Sequence, residues 1–313
     1  MKYLLMQKKR TGQYLRSISM GNKINHSKEL KIFLENTNLD FKLPNSVYGK
    51  VHLWLGHDTP FAFRKWAKYG LLDYYTKHTL TYDINKDGCR SEFEFNEVIN
   101  DQTPVDIYLG CSHTFGVAHL WENTWPYIVS KETGNKIVNL GKGGTGMDFA
   151  YMRLITFIQK MNVQNVFHYQ PIYSRWTVKD INSFNHIGVP SNMGEASKFF
   201  TNKYIADNLI DYGVITYNHL KTLNAIRQVC TDFDVPYYYL TNFKSKKIKH
   251  PKPCLPDTSL KKYKKWLGDN TPARDLVHYP VEVLKDLANN FIEKIKVEPS
   301  GYVEKVITLP SNT

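Results

Sequence analysis

From residue 104 onward the chain repeats one motif: a short apolar run ending in Gly, Pro or Thr, then a longer stretch with helical spacing. VDIYLG, KIVNLG, NVFHYQP and VPYYYLT are the apolar runs. Their nearly unbroken hydrophobicity is that of strands buried on both faces. Between them, Val117 to Lys131 places Leu120, Trp121 and Tyr127 at helix-compatible positions. MDFAYMRLITFIQKM and the stretch from Lys203 to Phe233 read as helices too, and PVEVLKDLANNFIEKI closes the series. This alternation predicts an α/β domain, a three-layer sandwich whose parallel sheet is covered by helices on both faces. In such sheets ligands bind at the carboxyl ends of the strands. The residues just after each run are therefore the candidates for chemistry.

The first run leads into Leu109-Gly110-Cys111-Ser112-His113-Thr114-Phe115-Gly116. Ser112 falls at the end of a strand and the start of a helix, where backbone N–H groups favour negative charge. A serine that merely caps the helix occupies the same position. The second run leads into Asn139-Leu140-Gly141-Lys142-Gly143-Gly144-Thr145-Gly146, with four glycines in six residues. Such a loop lets the backbone approach a ligand and offers free N–H groups. It lacks the GxxxxGK[ST] spacing of a phosphate loop and does not follow the first strand, where a dinucleotide fingerprint belongs. Before the last helix stand Ala273-Arg274-Asp275-Leu276-Val277-His278-Tyr279-Pro280. The i, i+3 spacing brings Asp275 and His278 to one side of a turn. A carboxylate can then hold one imidazole nitrogen while the other faces a nucleophile. A helix-capping Asp275 and a half-buried His278 account for the same pattern without chemistry.

Taken together and in this order, GCSHTFG, NLGKGG and DLVH resemble the SGNH (GDSL-like) hydrolase superfamily over roughly residues 104–296. LGCSHTFG with the preceding DGCRSEFEF is similar to members of that superfamily found in tailed phages. The resemblance implies a flavodoxin-like SGNH fold with Ser112 as nucleophile and Asp275 and His278 completing a triad. It also implies an oxyanion hole built from the N–H groups of Ser112 and Gly144. Two departures stand out. Cys111 replaces the family's usual Asp, and no GxND follows the third run, which leaves Gln170 or Arg175 as substitute donors. The implied activity is that of a serine esterase, acting on an O-acetyl group of a carbohydrate. An O-acyltransferase would use the same three residues, and a weak or inactive binding or structural protein on the same fold stays open. No cofactor and no metal is implied.

Residues 1–103 show no repeating pattern and read as an N-terminal extension, 104–298 as the hydrolase-like domain and 299–313 as a tail. Asp83, Asn85, Asp87, Gly88 and Glu94 follow part of a calcium-loop spacing. The flanks lack helical patterns, so the segment reads as a hairpin-type turn, with SEFEF alternating like a strand. The four cysteines form no CxxC pair, which speaks against a zinc module or a disulfide scaffold. A net charge of +12 and 21 tyrosines fit an acidic glycan better than they fit nucleic acid, for which no recognition motif is present. The Lys-rich connection at 242–272 reads as a solvated loop. The apolar run Tyr3–Met6, followed at once by Lys8, Lys9 and Arg10, is too short for a signal peptide. No stretch is long enough for a membrane span. The expected location is the cytoplasm or a virion.

Overall fold

The computed structural model describes residues 49–55, 58–171, 175–179, 184–188, 212–240, 267–276 and 278–297. The first elements are β1 (Lys50–His52), α1 (Pro60–Ala67), α2 (Asp73–Lys77), β2 (Tyr82–Ile84) and α3 (Phe95–Asp101). Then come β3 (Val105–Leu109), α4 (Ser112–Phe115), α5 (Trp125–Thr133), β4 (Lys136–Asn139) and α6 (Met147–Phe157). The series ends with β5 (Val163–Tyr169), β6 (Arg175–Lys179), β7 (Phe184–Gly188), α7 (Tyr212–Asp232), β8 (Tyr237–Leu240) and α8 (Val281–Val297).

The four apolar runs are the four strands of one parallel sheet, in the order β4-β3-β5-β8. All five residues of β3 are buried, as a strand inside such a sheet must be. The second strand of the set lies to one side of the first and the third to the other, so the crossovers diverge at β3. That divergence opens a crevice outside the carboxyl ends of the strands.

One face carries an aromatic row in register. Tyr108 stacks on Phe167 at 5.3 Å between ring centroids, and Phe167 stacks on Tyr238 at 5.3 Å. Helices α5 and α8 pack on each other over this row, with Trp125 stacked on Phe291 at 4.8 Å. Helix α5 starts where Thr124 caps the N–H of Tyr127, carries Pro126 in its first turn, and stops at Gly134 in the left-handed conformation. The pleat turns Val166, His168 and Gln170 to the opposite face, where α6 and α7 pack together. There His219 of α7 meets Gln170 at 3.2 Å.

Several boundaries differ from those expected. The segment after Ser112 forms the short α4, a 3-10 turn at Trp121–Asn123 and then α5, rather than one helix from Val117. SEFEF does not pair as a strand; Glu94 precedes α3, which starts at Phe95. β6 and β7 form an antiparallel hairpin that the periodicity did not suggest. The turn at 85–89 closes on an antiparallel Ile84–Arg90 bridge, and the Asn85 side chain accepts the N–H groups of Asp87 and Cys89. Glu94 accepts the N–H of Lys86. Among the described residues no cluster of His, Cys, Asp or Glu is arranged to hold a metal ion.

Residues 71–84 share one hydrophobic cluster with residues 115–120 and 267–276. Leu72, Leu80 and Tyr82 are fully buried in it. Residues 39–313 form one compact unit; the other, 1–38, lies outside the described residues, as do most of the Lys-rich connection and the tail. Among the described residues no helix is long and apolar enough to cross a membrane.

Candidate active site

Three turns meet at the carboxyl edge of the sheet. The first follows β3. Gly110 has φ +149°, and a Cβ there would stand 2.1 Å from Thr114 Oγ1 and 2.6 Å from the Tyr169 carbonyl. Only glycine lets the chain leave the strand here, between β5 and the start of α4. Ser112 is the first residue of α4 and is mostly buried. The single helical turn ends at Gly116, φ +80°, where the Arg90 guanidinium takes the Gly116 carbonyl at 2.6 Å.

The second turn follows β4 and lies directly against the first. A Cβ on Gly141 would come within 2.8 Å of the Phe115 N and 2.7 Å of Thr114 Cβ, and one on Gly143 would touch Ser112 Cβ at 3.8 Å. Gly144, φ +81°, faces open space. Asn139 ties the two turns: its side chain donates to the Thr114 carbonyl at 2.8 Å and accepts the N–H of Gly141 at 3.0 Å. Lys142 is half-buried in this loop. Burial pushes its ammonium down to about 8, and the Arg153 guanidinium adds to the shift.

The third turn precedes α8. His278 Nδ1 donates to Asp275 Oδ2 at 2.6 Å, and the His278 N–H reaches Asp275 Oδ1 at 3.1 Å. A carboxylate only accepts, so Nδ1 carries the proton and Nε2 is left as the basic nitrogen. Asp275 is 2% exposed, which keeps this bond out of competition with water. The His278 ring lies edge-on to His113, the neighbour of Ser112, at 5.2 Å, and His113 stacks on Tyr279 at 4.1 Å. His119 is buried close by; burial pushes its imidazole down to about 3, and His278 adds to the shift.

The sequence-derived set is thus distributed as follows. Asp275 and His278 are paired; Ser112 sits on the adjoining turn, against Gly143. Among the described residues no hydrogen bond joins Ser112 Oγ to His278. Such bonds are commonly long before a substrate is bound. Gln170, at the end of β5, is buried, and its Nε2 has no hydrogen-bond partner among the described residues, while its oxygen faces His219. The Arg175 side chain and Val277 lie outside the described residues.

Four residues of the site's support escaped the sequence reading: Asp58, Tyr82, Arg90 and Asn139. Each has a partner far away in sequence, and neither the motifs nor local spacing assigns any of them a role. What marks Arg90 is its burial, and burial is not visible in a single sequence.

No family model and no curated protein matches the chain. One solved structure similar to it is that of a protein from Desulfitobacterium hafniense DCB-2, described as lipolytic and of the G-D-S-L family. It is 11% identical, with a TM-score of 0.26, and the match covers 60% of this chain and 98% of that one. At that TM-score the likeness carries no argument about this chain.

Proposed function

We propose that the chain is a serine esterase of the SGNH type, with Ser112 as nucleophile, His278 as general base and Asp275 as the group that orients it. The observation that carries this reading is the buried Asp275–His278 pair, 2.6 Å apart, on the turn beside that of Ser112. In the first step Ser112 Oγ bonds to the ester carbonyl carbon while its proton passes to His278 Nε2. Collapse breaks the bond to the alcohol, which leaves with that proton. Water then attacks the acyl-enzyme by the same route and frees the acid. The Ser112 and Gly144 N–H groups and Gln170 Nε2 serve as donors to the oxyanion; a free buried donor at the end of β5 suits the place where GxND is missing. The proposed substrate is an O-acetylated, acidic carbohydrate, in keeping with the net charge of +12 and with the cationic and aromatic side chains of the α1 region. There Lys65 lies over Trp66, Lys68 over Tyr69, and Phe61 is exposed.

The test is intact-mass analysis after a fluorophosphonate probe, alongside hydrolysis of a p-nitrophenyl ester. Wild type should gain one adduct, Ser112→Ala none, and loss of Ser112 or His278 should cut turnover by about 10⁶-fold. Gln170→Ala should cost roughly 10²–10³-fold. A second reading, a non-catalytic binding protein, rests on the absence of GxND after β5; a folded wild type that takes no adduct would establish it over the first. Adduct formation with acetyl passed to a sugar rather than to water would instead mark an O-acyltransferase.

A further inference from the structure

We propose that residues 58–90 are the positioning element of the candidate site, with Asp58, Tyr82 and Arg90 holding the Ser112 turn and the Asp275–His278 turn at a fixed separation. The inference rests on the esterase reading above and extends it to a segment that carries no catalytic motif.

Two residues flanking the site are held in the left-handed region without being glycine: Ala118 at φ +62° and Leu276 at φ +58°. Such backbone persists only where its surroundings impose it. At Ala118 the imposing groups are identifiable. Its N–H donates to Tyr82 Oη at 2.8 Å, and its carbonyl accepts from the Arg274 N–H at 2.9 Å and from Tyr75 Oη at 3.0 Å. Tyr82 Oη in turn donates to Asp58 Oδ2 at 2.5 Å. Asp58 forks onto the Arg274 guanidinium, at 2.9 Å to Nε and 2.6 Å to Nη2. The path from Ala118 through Tyr82, Asp58 and Arg274 therefore returns to Ala118 as a closed ring of hydrogen bonds. One end of the ring is on the segment that follows α4, and the other is the residue next to Asp275.

The ring is buried: Asp58, Tyr82 and Arg274 are 1%, 0% and 5% exposed. Arg274 also lies over Trp54 at 3.9 Å and donates to the Leu53 carbonyl. Beside it, Arg90 donates to the carbonyls of Gly116, Thr81 and His119 at 2.6, 2.9 and 2.9 Å, and its guanidinium sits between the rings of Tyr82 and Trp121. Charged groups satisfied in this way, away from water, leave little slack, because any displacement strands a buried donor. None of these side chains belongs to the proposed reacting set. They act through the two turns and are positioning residues. A misplacement on the order of 1 Å between nucleophile and base costs roughly 10²-fold in rate.

The experiment uses the full chain and the fluorophosphonate probe, with p-nitrophenyl acetate as substrate. Tyr82→Phe keeps the ring and removes only the hydroxyl between Asp58 and Ala118; Asp58→Asn is its isosteric second variant. Val129→Ala, in the core under α5, is the control for stability alone. All are compared at a temperature where circular dichroism shows each folded. Expected are Ser112 labelling and kcat about 10- to 100-fold lower in Tyr82→Phe and Asp58→Asn with KM little changed, and wild-type rates in Val129→Ala. Wild-type labelling in both ring variants overturns the positioning role while leaving the esterase reading intact. Absence of labelling in wild type overturns the esterase reading first, and this inference with it.

Discussion

Gly110 and Gly134 both have positive φ, +149° and +74°, but only one of them is crowded. A Cβ on Gly134 meets nothing within 4 Å, so Gly134→Ala carries only the left-handed strain of an alanine, about 1 kcal/mol. A Cβ on Gly110 runs into Thr114 and the Tyr169 carbonyl. The carbonyl belongs to β5 and cannot withdraw without breaking the sheet. Gly110→Ala therefore combines strain with overpacking and should cost about 3 kcal/mol or more. Urea denaturation of the two variants checks this; equal losses would mean that the turn after β3 relaxes more easily than its contacts imply. The same residue limits what a single sequence tells. A glycine after an apolar run reads as a strand terminator, and that is what Gly110 is. The contact with Tyr169 lies 59 positions away and has no local signature.

Elements β3 and β4 deliver their turns to one place, and Asn139 holds them there. Replacing it with alanine leaves the Thr114 carbonyl and the Gly141 N–H without partners in a buried setting. Each such group costs about 1–3 kcal/mol. Asn139→Ala should thus lose stability and also label more slowly at Ser112, because Thr114 belongs to α4. Labelling at the wild-type rate in a folded variant would show that the two turns keep their places without this tie. Asn139→Asp separates the two bonds, since it retains the acceptor for Gly141 and loses the donor to Thr114. The sheet itself was legible because short apolar runs bounded by Gly, Pro or Thr alternate with longer helical stretches, and the four runs are its four strands. Helix limits were less so. Val117–Lys131 has helical spacing throughout, yet the left-handed Ala118, held by distant Tyr82, Tyr75 and Arg274, and the local Thr124 cap break it. SEFEF alternates like a strand, but the backbone of Phe95 enters a helix whose Phe95 and Val98 are buried in the core. Period two over so few residues does not decide between the two states. Of the site, the Asp275–His278 pair could be read from spacing alone because its geometry is local.

At the scale of the whole molecule the fold stores neutral histidines in two places. His119 lies beside the candidate site, and His168 lies within β5, bonded to Tyr237 Oη at 2.7 Å. Burial pushes both down to about 3 from an ordinary value of 6.5, with His278 contributing at His119 and His219 at His168. Above pH 6.5 neither the folded nor the unfolded chain holds the extra proton, and these residues make no pH-dependent contribution. Below it the unfolded chain takes up protons that the folded chain refuses, so stability falls as the pH falls, down to about pH 3. At pH 5 the loss is about 2 kcal/mol per histidine, or about 4 for both. That is a large share of the stability of an ordinary domain. Urea midpoints measured between pH 7 and 5, above the range where most carboxylates titrate, should therefore drop steeply. His168→Gln, which cannot titrate, should remove about half of the dependence. An unchanged slope in that variant would place the acid sensitivity elsewhere. A flat wild-type profile would mean that the folded chain accepts these protons, and that the interior around β5 and the site admits water more freely than its packing implies.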